Sequence, residues 1–188
     1  MRILTGTAKG IKLKTTNDNT IRPTTDRVKE SLFNILEHNP IYSAIKNKRI
    51  LDLFSGTGSI GIEALSRGAE YCLFVDNDHK SNILIKENLK ASDLLSKAKI
   101  IKKDIKDFKK MNSFGVFDVI FADPPYNMGF GDLIIKLSIE EGLLKKNGFI
   151  VIEENKDVSL NWPNNYKIIT ERIYGKTKIH IAILCKLL

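Results

Sequence analysis

An α/β fold, with a parallel sheet buried between two layers of helices, is predicted by three observations. From Arg49 onward, short apolar runs alternate with helical segments. The runs, YCLFVD and FDVIFA among them, are apolar on both faces, as strands covered on both sides require. Acidic residues follow the ends of four of these strands, where open α/β sheets hold their ligands.

Taken in order, RILT and KGIKLK, with Gly6 and Gly10 as turn residues, predict a short hairpin, and TNDN continues as a polar loop. Pro23 and Thr24, with Asp26 in the first turn, start a helix that puts Val28, Leu32, Ile35 and Leu36 on one face and runs to about His38. RILDLF is the first strand, SIGIEALSRG a helix ending at Gly68, YCLFVD the second strand, and Asp78 to Ala91 the next helix. KAKIIKKD and FDVIFAD are the third and fourth strands, a helix covers roughly residues 130–145, and GFIVIEE follows an Asn147-Gly148 turn as the fifth strand. The tail differs: NYKIITERIYG and KTKIHIAILCKL, separated by Gly175, form an antiparallel closing pair.

With 188 residues, 43% of them hydrophobic, the chain supports one full core and a small appendage. No apolar run approaches the length of a membrane span, and MRILTGTAKG lacks the long apolar region of a secretory signal, so the expected location is the cytoplasm. Cys72 and Cys185 have no CxxC spacing and no nearby histidine cluster; they read as reduced core thiols, and no metal is expected. Trp162 and His180 read as structural, and His38 as a surface residue at a helix end. The net charge is +8, and residues 1–49 alone carry ten Lys and Arg against four acids. Such concentration points to an N-terminal segment facing a polyanion, with a nucleic acid as partner.

The strand ends carry the chemistry. Asp52-Leu53-Phe54-Ser55-Gly56-Thr57-Gly58 closes the first, Asp76-Asn77-Asp78 the second, Asp104 the third, and Asp123-Pro124-Pro125-Tyr126 the fourth. GTGSIG at 56–61 has the G-x-G-x-x-G spacing, and Asp76 stands 20 residues after Gly56, the offset of a ribose-binding acid. A dinucleotide dehydrogenase therefore competes with a second reading. A pyrophosphate against the loop would be repelled by Asp52, whereas S-adenosylmethionine carries an ammonium and a sulfonium, no phosphate, and a ribose diol for Asp76. Asp104 would accept from its adenine amine, with Ile105 or Asn77 against the ring. Phe54, Ser55, Gly56 and Gly58 complete the candidate cofactor site.

At the fourth corner, Pro124 and Pro125 stop the strand and stiffen the turn beyond it. The exocyclic amine of a nucleobase is a weak nucleophile because its lone pair is delocalised into the ring. The Asp123 carboxylate and the Pro124 carbonyl, each accepting one N–H, would favour a tetrahedral nitrogen, and Tyr126 offers a stacking face. Positioning and electrostatics suffice for in-line methyl transfer, provided the base leaves its stack. Methylation at a pyrimidine C5 would need a cysteine nucleophile, and neither cysteine lies near this corner in the sequence.

LDLFSGTGSIGIEALSRGA, FADPPY, RPTTDRVKESLFNIL and IYGKTKI resemble the ribosomal small subunit methyltransferase D family, bacterial enzymes that methylate guanine N2 in 16S rRNA. The resemblance runs from RILTGTAKGIKL to YGKTKI. It implies a Rossmann-like methyltransferase fold with a mostly parallel seven-stranded sheet, an antiparallel C-terminal strand and a small N-terminal β-hairpin extension. On that basis residues 1–22 are a basic extension and 23–188 the S-adenosylmethionine-dependent domain. The resemblance assigns Gly56, Gly58 and Asp76 to the cofactor, Asp104 to adenine, and Asp123 to Tyr126 to the acceptor base. The family's second strand often ends in glutamate, one methylene longer than Asp76. Arg2, Lys9, Lys12, Arg22, Arg27 and Lys176 are candidates for phosphate contact, which positions rRNA without specifying sequence. The expected substrate is 16S rRNA, within a 30S subunit or an assembly intermediate, and the expected protein is a monomer. Adenine N6 in DNA, a protein glutamine amide, and a non-catalytic rRNA-binding assembly factor are the rival readings.

Overall fold

The computed structural model describes residues 1–15, 26–38, 45–108 and 111–185. Pro23, Thr24, the TNDN loop and Arg22 lie outside them. Two compact units divide the chain, Met1–Lys102 and Lys103–Leu188.

In the first unit, β1 (Arg49–Leu53), β2 (Tyr71–Asp76) and β3 (Ala98–Lys102) pair in parallel, with Leu51 opposite Leu73 and Phe74 opposite Ile100. Ile50, Leu51, Cys72, Leu73 and Phe74 are fully buried, which is why β1 and β2 read as unbroken apolar runs. Helix α2 (Ser59–Ser66) follows β1, and α3 (His79–Ala91) follows β2. Asp78 caps α3 by accepting the Ser81 N–H at 2.9 Å.

Helix α1 (Asp26–His38) departs from the expected pattern in one instructive way. It buries Lys29, Leu32, Phe33 and Leu36, while Val28 and Ile35 are only half-buried. A lysine enters the buried face because its ammonium is met there: Lys29 Nζ donates to the Arg2 carbonyl at 2.7 Å and lies 3.6 Å from Glu63. Desolvation nevertheless dominates and holds its pKa below the ordinary lysine value, the Glu63 and Asp26 carboxylates opposing.

The N-terminal hairpin consists of a single antiparallel bridge, Arg2 to Lys12, rather than two extended strands. It docks on α2 by side-chain-to-backbone bonds. Glu63 Oε2 accepts the Leu4 N–H at 2.7 Å and Oε1 the Thr5 N–H at 3.1 Å. Ser66 Oγ donates to the Thr5 carbonyl at 2.6 Å and accepts the Ala8 N–H at 3.0 Å. Glycine is required at position 6: φ is +89°, and a Cβ there would lie 1.8 Å from the Ser66 carbonyl oxygen. Arg67 completes the group, with Nε 2.8 Å from Glu63 and Nη1 2.7 Å from Glu37.

In the second unit, β4 (Phe117–Ala122) pairs in parallel with β5 (Leu144–Asn155), and β7 (Thr177–Leu184) runs antiparallel to both β5 and β6 (Tyr166–Tyr174). Helix α4 (Phe130–Glu140) ends earlier than expected, and β5 starts before Asn147-Gly148. That dipeptide is therefore not a turn preceding the strand. It is an irregularity within it, with Asn147 at φ +63° and the β4–β5 register shifting between Phe117 and Val119. Trp162 packs edge-on against Tyr166 at 5.5 Å, and His180 is buried on β7. Cys72 is buried, whereas Cys185 lies just beyond β7 and is half-buried, so only one of the two is a core thiol; both are free.

The seven strands are ordered β3-β2-β1-β4-β5-β7-β6, a mostly parallel sheet with one antiparallel C-terminal strand. No helix among the described residues is long and apolar enough to cross a membrane.

Candidate active site

In the first unit, the loop after β1 is built around the ends of β1 and β2. Phe54 has φ +56°, unusual for a bulky side chain, and Gly56 and Gly58 follow at +52° and +77°. Ser55 locks this path: its Oγ lies 2.6 Å from the Asp52 carbonyl and accepts the Val75 N–H at 3.0 Å. Its hydroxyl is thus committed to the loop. Asp76 accepts the Gly56 N–H at 2.8 Å on one oxygen and the Asp78 N–H at 2.9 Å on the other, so its carboxylate is held in a set orientation with lone pairs remaining. The third glycine of the pattern, Gly61, serves packing: a Cβ there would lie 2.4 Å from the Phe74 ring.

Asp52 is 4% exposed and accepts the Gly61 N–H at 3.0 Å. Burial, with a smaller push from Asp76, raises its pKa to about 8. Two acids close together and, among the described residues, short of compensating positive charge suit a cationic ligand and not a pyrophosphate. S-Adenosylmethionine, with its ammonium and sulfonium, fits this donor set. The raised pKa also has a stability consequence. The native state favours a protonated Asp52, so this contribution is complete below the ordinary carboxylate value and is lost as pH rises toward 8. Asp52→Asn is expected to melt at a higher temperature than the parent at pH 8 and to match it more closely at pH 4, as thermal denaturation at the two pH values would check.

In the second unit, Asp104 caps a short 3-10 turn, Ile105–Asp107, by accepting the Lys106 N–H at 2.9 Å, and Ile105 is 5% exposed. At the end of β4, Asp123 is half-buried, Pro124 buried and Pro125 exposed. The Tyr126 hydroxyl lies 2.7 Å from Glu153 Oε1 and 2.8 Å from Thr177 Oγ1. Desolvation first, and then the Glu153 and Asp123 charges, hold the phenol protonated well beyond its ordinary range. Glu154, 1% exposed, accepts the Asn127 N–H at 3.2 Å and the Asn155 N–H at 2.8 Å. Among the described residues no cluster of His, Cys, Asp and Glu could hold a metal ion.

The family described as Conserved hypothetical protein 95 matches residues 1–183. Ribosomal RNA small subunit methyltransferase D of Haemophilus influenzae is 37% identical over 177 residues, covering 93% of this chain and 89% of that protein. The chain belongs to this methyltransferase D family. YlbH of Bacillus subtilis is 38% identical over 186 residues, covering 96% and 97% of the two chains. The solved structure of yhhF from Escherichia coli matches with a TM-score of 0.82 and 27% identity, covering 98% of each chain. SMU.776, solved in complex with SAH, shares the fold at a TM-score of 0.64 and 18% identity.

Within this member of the methyltransferase D family, the candidate residues fall into two groups. Asp52, Phe54, Ser55, Gly56, Gly58 and Asp76 belong to one bonded loop system in the first unit, with Asn77 exposed beside it. Asp123 to Tyr126 form one corner in the second. Arg2, Lys9, Lys12, Arg27 and Lys176 are all exposed. The residues that sequence reasoning missed are Glu153, Glu154 and Thr177, which hold the turn after β4 through Tyr126 and Asn127, and Glu63, Lys29 and Asn88, which hold the hairpin. Asn88 is buried on α3, where it accepts the Lys14 N–H at 2.8 Å and donates to the Thr57 carbonyl at 2.9 Å, tying the hairpin's end to the glycine loop.

Proposed function

We propose that the protein transfers a methyl group from S-adenosylmethionine to the exocyclic N2 amine of a guanine in 16S rRNA, free or within a 30S subunit or assembly intermediate. The observation that carries the reading is the match along nearly the whole chain to relatives named for small-subunit rRNA methylation.

The cofactor supplies an activated methyl group, and Asp52 and Asp76 would hold it, with Phe54, Ser55, Gly56, Gly58, Asn77, Asp104 and Ile105 around it. The Asp123 carboxylate and the Pro124 carbonyl each accept one N–H of the substrate amine. This turns its lone pair out of conjugation with the ring. The buried Pro124 keeps that carbonyl from moving, and Tyr126 stacks on the base. Once the nitrogen is methylated it is cationic, and its proton passes to Asp123, the nearest base in this scheme.

Residues 1–22 serve as the RNA-facing extension of a catalytic domain over 23–188, with Arg2, Lys9, Lys12, Arg22, Arg27 and Lys176 as phosphate contacts. The bridge supports this. Arg2 and Lys12 stand directly opposite each other and are both exposed, an arrangement that costs stability through like-charge repulsion and that a bound phosphate would offset.

The test is transfer of labelled methyl from S-adenosylmethionine to naked 16S rRNA and to 30S particles from a bacterial strain lacking such an enzyme, followed by nucleoside analysis. Label in N2-methylguanosine is the expected result. Label only in N6-methyladenosine or in protein would replace the substrate, and no label with the cofactor bound would favour an assembly factor.

A further inference from the structure

The hydroxyl of Tyr126 is more elaborately held than a stacking residue needs. Stacking uses only the ring, and a half-buried phenol can satisfy its hydroxyl with water. Here two side chains from two different strands meet it, Glu153 near the end of β5 at 2.7 Å and Thr177 at the start of β7 at 2.8 Å.

The donor count fixes the direction of both bonds. A carboxylate only accepts, so the phenol spends its one proton on Glu153. Thr177 must then donate to the phenol oxygen. The result is a chain from Thr177 through Tyr126 to Glu153. Fixing the oxygen fixes the ring's long axis, and a phenolic O–H prefers the plane of its ring, so partners on both sides of the oxygen also bias which way the ring faces.

A separate anchor holds the loop's backbone. Glu154, fully buried next in the chain, accepts the Asn127 N–H, and Asn127 lies at φ +61°. Releasing the hydroxyl therefore need not release the loop. Thr177 is itself buried at 3% exposure, and the neighbouring Lys176 carbonyl accepts the Lys156 N–H at 2.9 Å, so the donor is as firmly placed as the acceptor.

We propose that Glu153 and Thr177 are positioning residues, which set the face of the Tyr126 ring through its hydroxyl before the acceptor base arrives. The inference rests on the reading of Tyr126 as the stacking residue. Its effect falls on the chemical step. A ring free to tilt still contacts RNA, but it holds the amine less often in line with the methyl group, and small misplacements of that kind are costly.

The experiment is a double-mutant cycle on the intact protein with 16S rRNA as substrate, reading kcat, KM for RNA and melting temperature. Tyr126→Phe and Glu153→Ala are each expected to lower kcat about 10-fold, with KM for RNA changed by less than about 2-fold and melting nearly unchanged. The double variant should be no slower than either single one, because both remove the same bond. Glu153→Gln, which still accepts the phenol proton, should recover most of the loss, and Thr177→Ser should exceed Thr177→Val. Full activity in Tyr126→Phe, or additive losses in the cycle, would overturn the inference. Tyr126→Ala separates the two layers: a large loss there with Tyr126→Phe unaffected rejects only the positioning role. Parental kcat in Tyr126→Ala would remove the stacking role and the inference with it.

Discussion

Asp123→Ala is expected to lower kcat for methyl transfer by about 10³-fold while S-adenosylmethionine and RNA bind within a few-fold of the parent. The size follows from two roles in one group. In the proposed mechanism Asp123 would accept an N–H of the amine before reaction and take the proton after it, and alanine can do neither. The Pro124 carbonyl would remain, which is why a residual rate is expected rather than none. Asp123→Asn keeps an accepting oxygen but loses the charge, so its loss should be smaller, about 10². Single-turnover transfer to 16S rRNA, with cofactor affinity measured by calorimetry, checks both. Parental turnover in Asp123→Ala would contradict the assigned chemistry, and loss of cofactor binding in that variant would show that the corner had been assigned to the wrong ligand.

The second large effect is on stability. Glu63→Ala is expected to cost about 3–5 kcal/mol, a fall in melting temperature of roughly 10 °C for a chain of this size. Glu63 is fully buried, and its two oxygens serve the Leu4 and Thr5 N–H groups as well as Lys29 and Arg67. Its removal leaves Lys29, equally buried, with Asp26 at 3.9 Å, a carboxylate that is itself 40% exposed. An uncompensated buried ammonium is among the more costly consequences of a single substitution. A companion variant separates the ion pair from the backbone bonds. Lys29→Met with Glu63→Leu removes both charges but still strands two N–H groups, so thermal melting should show it only partly recovered. Full recovery would mean that the hairpin's N–H groups find other acceptors.

Much of the sheet was legible because its physics is local. YCLFVD spans Tyr71–Asp76 as observed, and its burial on both faces left a continuous apolar run in the sequence. The strand-end acids were legible for a topological reason, since parallel strands deliver their carboxyl ends to one edge. The same rule extended to the fifth strand would have pointed to Glu153 and Glu154, which end VIEEN and hold the Tyr126 loop. Thr177 had no such signal: its partner lies 51 residues away, and nothing in KTKIHIA marks one threonine as a donor. The buried face of α1 differs from the apolar periodicity because it includes Lys29, whose burial only the facing Glu63 and the Arg2 carbonyl explain. The docking of the hairpin left no periodic trace either, because side-chain-to-backbone bonds across 58 to 74 residues obey no repeat.

Those separations also impose an order of events. Residues 1–14 precede their partners Glu63, Ser66 and Asn88 in the chain, and they cannot settle until α2 and α3 have formed. This segment, with Arg2, Lys9, Lys12 and Lys14 and no acid, is thus an untethered cationic strand early in folding and a shaped surface only at its end. If the hairpin is the RNA-facing extension proposed above, a newly made chain would meet polyanions first through unspecific charge, and selective contact would become available only when the core that carries the hairpin is complete.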